Sequence, residues 1–407
     1  MSEILFLAHR VPFPPDRGDK IRSHHVLRRL AELAPVHVAT FGDTDDDMAQ
    51  DNALAQVAAS HCLIRREKPL WRAGLEALRN RTPVSVAAFH DERLAQWVRE
   101  TLATRPISAI YVFSGQMGQY IPACFDGRVV LDLVDVDSAK FEAYAHERRW
   151  PASRLHAREG KLLAREEARL AQRADVTLLV SEEEAALFRS RSPAARDVRA
   201  MTNGIDAAFF NPASAEPHPD LASGGPHIVF TGQMDYSPNV AAAKRAAERI
   251  FPAIREVHPQ AQLHIVGRAP TAALTKLDGK SGMRVWGAVP DVRPFLAGAT
   301  IVLVPLEIAR GVQNKVLEAM AMGRPVLATS GAATGIGAEP GRQLLVADRD
   351  RALIAEALTL LSHPERGIVF GLTAREFVLE HKTWPAALAA LPELVFGRNG
   401  GSARDAA

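Results

Sequence analysis

Short runs of aliphatic and β-branched residues alternate with amphipathic stretches along this chain, and the alternation happens twice. In the first half the spacing predicts strands at Ile4–Ala8, Val36–Phe41, Ile110–Phe113, Val129–Val134 and Val176–Val180. Helices are predicted around Lys20–Leu33, Glu92–Leu102 and Pro151–Gln172. Strand and helix in that order make βα units, and βα units make a parallel sheet. Between Asn211 and Pro226 the pattern stops, with four prolines and two glycines in sixteen residues and no apolar period. It then restarts with strands at His227–Thr231, Gln262–Val266, Arg284–Trp286, Ile301–Val304, Val326–Ala328 and Leu344–Val346, and helices such as Asn239–Ile250 and Asn314–Met322. The reading is therefore two doubly wound α/β domains, a natural division for 407 residues. The first covers residues 1–212, a linker 213–226, and the second 227–396, its last helix able to pack back on the first domain; 397–407 form a Gly/Ala/Ser-rich tail. Ligands of such sheets sit beyond the carboxyl ends of the strands, so two facing domains are expected to share one cleft.

Composition removes several classes of function. With 49 Lys and Arg against 47 Asp and Glu the chain is no polycation, so a nucleic-acid binder is not expected. Cys62 and Cys124 lie outside any CxxC spacing, which excludes a cysteine zinc site or disulfide framework and fits a reducing compartment. The apolar run Ile4–Ala8 ends at His9-Arg10, too short for a secretory leader. The longest uncharged run, Ile107–Phe125, is interrupted by Ser114, Gln116 and Gln119. A cytoplasmic protein, resting at most on the inner face of the membrane, is the expectation.

The segment that carries most chemistry is Gly311-Val-Gln-Asn-Lys-Val-Leu-Glu-Ala-Met-Ala-Met-Gly-Arg-Pro-Val326. It follows a strand, opens on a glycine, continues as a helix to a cap at Gly323 and enters the next strand through Pro325. A helix launched from the carboxyl edge of a sheet points free N–H groups at the ligand crevice, which suits a phosphate. Lys315 stands in its first turn and Glu318 three residues on, on the same face; an ordinary solvated Lys–Glu pair is the alternative. In the first domain Arg17, Gly18 and Lys20 follow the first strand, placing charge and a small residue where a diphosphate or an acceptor would approach; a plain βα loop is the alternative.

Glu318-Ala-Met-Ala-Met-Gly-Arg-Pro-Val resembles the donor-binding signature of glycosyltransferase family 4, whose pattern is E-x7-E with the second Glu in EAMA. Asn203-Gly-Ile-Asp206 with Phe209, Phe210 and Pro212, and Phe230-Thr-Gly-Gln-Met-Asp-Tyr-Ser-Pro-Asn239, are similar to other segments of that family. The resemblance implies the GT-B fold, two Rossmann-like domains facing a cleft. It implies that Glu318 accepts from the ribose hydroxyls of a nucleotide-sugar while Lys315 and the amides around Gly311, Val312, Gln313 and Asn314 hold the diphosphate. Gly232, Gln233, Gly267 and Arg268 fall in the family's glycine loops, and Val289 and Asp291 in the loop around the base. The chain departs from the pattern at Arg310, where the first Glu is usual, with Glu307 a nearby substitute, and at Gln233 and Asn239, where many members place Arg and Lys.

PPDRGDKIRSHH, DLVDVDSAKF and RGVQNKVLEAMAMG together look like the exosortase (PEP-CTERM)-associated sugar transferases of bacterial exopolysaccharide loci. That resemblance implies a retaining transferase that passes a sugar from a nucleotide-diphosphate donor to a glycan or lipid-linked acceptor, with no cofactor. Asp135 and Asp137 are then candidates for orienting acceptor or sugar hydroxyls; they also match D-x-D, but GT-B enzymes generally need no metal, and none is expected. Alternatives are a nucleotide-sugar epimerase of the same fold and a non-catalytic sugar-binding protein. A dehydrogenase is disfavoured: Ser330-Gly-Ala-Ala-Thr-Gly-Ile-Gly337 is far from the first strand, and no tyrosine has a lysine four residues on. Finally, Arg65–Arg81 holds six basic and two acidic residues with Leu70, Trp71, Leu75 and Leu78 at helical spacing, a patch that fits anionic lipid or an ordinary surface helix.

Overall fold

The computed structural model describes residues 2–147, 150–307 and 312–397. By their contacts the described residues of Met1–Asn203 and Leu388–Ala407 make one compact unit and those of Gly204–Ala387 another.

The first unit holds seven strands: β1 (Glu3–Ala8), β2 (Val36–Gly42), β3 (Ser60–Arg65), β4 (Ile107–Phe113), β5 (Arg128–Val134), β6 (Val176–Leu179) and β7 (Val198–Ala200). Their order is β3-β2-β1-β4-β5-β6-β7 and every pairing is parallel. Ile4 to Ala8 and every residue of β2 are buried, because helices cover both faces of the sheet, and such strands read as continuous apolar runs. β3 and β7 were absent from the sequence expectation. They are the two edges, and Ser-His-Cys-Leu-Ile-Arg and Val-Arg-Ala carry the polar side chains that exposed edges require. The helix Leu391–Phe396 packs on β4 and β5, where Arg128 Nε donates to the Leu394 carbonyl at 2.5 Å.

The second unit holds β8 (His227–Thr231), β9 (Gln262–Val266), β10 (Met283–Gly287), β11 (Ile301–Val304), β12 (Val326–Ala328) and β13 (Leu345–Val346), in the order β10-β9-β8-β11-β12-β13, again all parallel. The strand order reverses at β8 and β11, so the crevice for a ligand lies beyond their carboxyl ends. From Gly204 onward the Asn203-Gly-Ile-Asp206 segment belongs to this unit and works as a clamp within it. Ile205 N–H donates to the Lys382 carbonyl at 2.7 Å, and Asp206 Oδ1 accepts from the amides of Ala208 and Phe209. Among the described residues no helix is long and apolar enough to cross a membrane.

Candidate donor site

The wall of the crevice begins with two glycines. β8 and β9 run side by side and both end in Gly, Gly232 at φ +155° and Gly267 at φ +153°, a region L side chains rarely adopt. The two loops touch backbone to backbone: a Cβ on Gly267 would lie 1.6 Å from the Gly232 carbonyl oxygen. Gly232 N–H donates to Val266 O at 3.0 Å and Gly267 N–H to Gly287 O at 2.9 Å, which fixes the floor.

Opposite stands the helix Asn314–Ala321. Its end is set by Gly323 at φ +64°, with Arg324 N–H bonding the Ala319 carbonyl and Gly323 N–H the Met320 carbonyl, both at 3.0 Å. Val316, Leu317, Ala319, Met320 and Ala321 are buried, so the helix is locked to the core with its start at the crevice. Lys315 Nζ donates to Asn239 Oδ1 at 2.5 Å and lies 5.1 Å from the centre of the Phe230 ring. Asn239 is itself oriented, since its Nδ2 donates to the Gln233 carbonyl at 2.9 Å. Arg268 donates to Gln233 Oε1 at 2.9 Å. The glutamine and asparagine that replace charged residues therefore act as brackets for the two cations.

Between these walls is a cleft of about 630 Å³. It brings together Gly232, Gln233, Gly267, Arg268, Val289, Val312, Gln313, Asn314, Lys315 and Glu318. Tyr236, Ala288 and Val292 join them and were not singled out in the sequence. Only apolar side chains, Ala288, Val289 and Val292, come from the loop and turn after β10. Burial pulls Lys315 down to about 8, against the support of the Glu318 charge. Burial likewise pushes the Glu318 carboxyl up to about 7. No ion pair joins the two, and among the described residues the Glu318 carboxylate has no hydrogen-bond partner. A cation and a half-buried carboxylate without a protein partner share one cleft wall, and such perturbed groups gather where a ligand completes them.

Other residues chosen from the sequence lie elsewhere. Arg310 and Gly311 lie outside the described residues. Asp291 does not line the cleft; its carboxylate is held by Arg293 at 2.6 Å, which lowers its pKa through that hydrogen bond. Glu307 is exposed and faces Arg249 at 3.5 Å.

In the first unit Lys20 is buried, donating to the Phe13 carbonyl at 3.1 Å and paired with Asp47 at 2.5 Å. Its charge is thus neutralised inside the domain. Arg17 pairs with Asp19 at 3.3 Å, and a Cβ on Gly18 would meet nothing within 4 Å. Asp132, on β5 just before the candidate acids, is fully buried beneath Arg22 at 2.9 Å and the Tyr111 hydroxyl at 2.7 Å.

Asp135 and Asp137 follow directly at the end of β5 and share Lys140, at 2.7 and 3.3 Å. Their loop is held tightly. Val134 sits at φ +70°, a strained value for a β-branched residue, in a γ-turn closed by Asp135 N–H to Leu133 O at 2.9 Å. Glu184 accepts from Val136 N–H at 2.8 Å, and buried Glu167 accepts from the Ser138 amide and hydroxyl at 2.9 and 2.6 Å. Among the described residues no group of three or more His, Cys, Asp or Glu is placed to hold a metal.

Residues 225–363, which contain every residue lining the 630 Å³ cleft, match the family model described as glycosyl transferases group 1. The protein is a glycosyltransferase. No curated protein matches this glycosyltransferase. Among solved structures it is similar to Anabaena HepE in complex with UDP and glucose, at 15% identity and TM-score 0.61, covering 97% of this chain and 99% of that one. Sucrose-phosphate synthase from Thermosynechococcus elongatus gives 19% identity and TM-score 0.62, covering 97% and 98%. WaaG, described as a glycosyltransferase involved in lipopolysaccharide biosynthesis, gives 18% and 0.59, covering 97% and 100%. At these identities the likeness establishes the fold, the pair of parallel-sheet domains of GT-B glycosyltransferases.

Proposed function

We propose that this glycosyltransferase takes a sugar from a nucleotide-diphosphate donor held in the second unit and passes it, with retention of configuration, to a glycan or lipid-linked saccharide during exopolysaccharide synthesis. One observation carries the donor assignment: Lys315 and an unpartnered Glu318 on a single helix, facing a glycine-floored cleft at the point where the strand order reverses. In this reading Glu318 accepts from the ribose hydroxyls, which returns its pKa toward that of an ordinary carboxylate. Lys315, Arg268 and the amides at the start of its helix face the diphosphate. As the bond to the anomeric carbon breaks, negative charge grows on the leaving diphosphate, and these fixed donors stabilise it without reorganisation. A phosphate oxygen of the donor takes the acceptor's proton, so no side-chain base is required. Ala288, Val289 and Val292 form an apolar face for the base. The loop carrying Asp135 and Asp137 is the proposed acceptor side, where the shared Lys140 holds both carboxylates in place.

The titration of these groups belongs to the proposal. Donor affinity should be greatest between about pH 7, where Glu318 becomes ionised, and about pH 8, where Lys315 loses its proton. The test is incubation of the purified protein with UDP-, GDP-, ADP- and dTDP-sugars, with and without a saccharide acceptor. Acceptor-dependent release of nucleoside diphosphate is expected. Isomerised donor formed without any acceptor would replace the transferase reading by an epimerase.

A further inference from the structure

The first unit carries a surface that donor binding does not use. Helix Leu70–Asn80 presents its large apolar residues outward: Leu70, Trp71, Leu75 and Leu78 are 61–69% exposed, while Ala73 and Ala77 alone on this helix are buried. At 100° per residue Trp71, Leu75 and Leu78 fall within about 60° of arc. A surface helix of a globular protein normally turns such a stripe inward, so this one is inverted. Arg72 and Arg79 border the stripe and Arg81 follows its end.

A second helix, Ala152–Arg173, meets the first through one hydrogen bond, Arg158 donating to the Ala77 carbonyl at 2.9 Å. At its start Trp150 and Leu155 are also exposed, and Arg154 lies beside them. Surface arginines of this unit are commonly paired, as Arg99 is with Glu92 and Arg189 with Glu182. Arg72, Arg79, Arg81 and Arg154 are not: among the described residues none has an acidic partner within 4 Å. Arg72 instead lies 5.3 Å from the centre of the Trp71 ring.

We propose that this exposed surface docks on an anionic lipid bilayer. An apolar arc with a tryptophan, flanked by cations that no carboxylate neutralises, matches a membrane interface, where apolar side chains sink to the level of the acyl boundary and arginines stay among headgroup phosphates. A protein partner with an apolar face would not need four free arginines around its rim. An anionic membrane supplies their counter-charges, each basic residue contributing roughly fivefold in partitioning near the surface. The proposal is independent of which sugar or nucleotide the second unit binds.

The experiment is co-sedimentation of the full chain with vesicles of phosphatidylcholine alone or with about 30 mol % phosphatidylglycerol, at low and high salt. Binding is expected only to the anionic vesicles and is weakened by salt. Arg72→Gln/Arg79→Gln/Arg154→Gln should lower partitioning roughly 100-fold, three residues at about fivefold each. Trp71→Ser/Leu78→Ser should abolish binding while leaving the melting temperature within a few degrees of wild type, since both side chains are already in solvent. Absence of binding to anionic vesicles, equal binding to neutral ones, or full binding by either variant overturns the proposal. So does a concentration-dependent dimer that Trp71→Ser/Leu78→Ser removes while vesicles are ignored, which would give the face to a second copy of the chain. No sugar transfer is read in this assay, so its failure leaves the donor assignment untouched.

Discussion

Glu318→Gln should make the empty protein more stable while impairing donor binding. Burial raises the Glu318 pKa from 4.5 to about 7, and no hydrogen bond offsets it. Each unit corresponds to 1.36 kcal/mol, so the ionised side chain costs up to ~3 kcal/mol above about pH 8. A raised pKa means that the folded state holds the proton more tightly. The stabilising contribution is therefore whole below 4.5 and is lost as pH rises through about 7. Glutamine has no charge to bury, but its introduction removes the support that Glu318 gives the Lys315 ammonium, leaving a net gain of ~1–3 kcal/mol. For a unit of this size that is a rise of roughly 3–9 °C in melting temperature near pH 8.5 and almost none near pH 4.5. Thermal unfolding of both proteins across that pH range reads the difference, and donor affinity, measured alongside, should fall about tenfold or more as the ribose hydroxyls lose a charged acceptor. If the variant melts at or below wild type at pH 8.5, the carboxylate is satisfied in the empty cleft and the reasoning from its isolation is wrong.

Lys315→Ala should reduce turnover by about 10²-fold or more while the fold persists, because the charge it stabilises grows only in the transition state; a steady-state assay with normal kcat would remove Lys315 from the site. Gly267→Ala should lower stability by at least ~3 kcal/mol, since its Cβ would overlap the Gly232 carbonyl at a forbidden φ, whereas Gly18→Ala, with open space around it, should be neutral or slightly stabilising by calorimetry. His264 is buried in a chain of bonds from Trp286 Nε1 and to His227 Nδ1, and burial lowers its pKa to about 3. A depressed value means that stability is present above the ordinary 6.5 and drains as pH falls toward about 3, by on the order of 4 kcal/mol in all; His264→Gln should flatten that part of a stability-against-pH curve.

The parts of the fold that could be read in advance are those whose physics is local. Strands buried on both faces are continuous apolar runs, and β8, β9, β11 and β12 fall on the residues that the runs marked. The edge strands β3 and β7 were invisible because an edge is short and polar, and looks like loop. The glycines of the donor cleft were picked out by the family resemblance alone, and the fold supplies the physical reason, since a loop that touches its neighbour's backbone tolerates nothing larger. Charges were harder. Lys20 read as part of a cationic ligand loop, yet its partner Asp47 stands 27 positions away and only the folded chain brings them together. Asp291 is the opposite case, with its partner Arg293 two residues on, a local pairing the sequence did contain. The isolation of Glu318 could not be read at all, because it depends on what is missing around it.

Titration calorimetry of UDP-, GDP-, ADP- and dTDP-sugars into wild type and Glu318→Ala tests the donor site most directly. At least one of the four should bind wild type, and that binding should weaken by about tenfold or more in the variant, with Lys315→Ala weakening the free nucleoside diphosphate as well. Binding that neither substitution changes would place the donor somewhere other than this cleft, and no binding of any of the four would contradict the assignment itself.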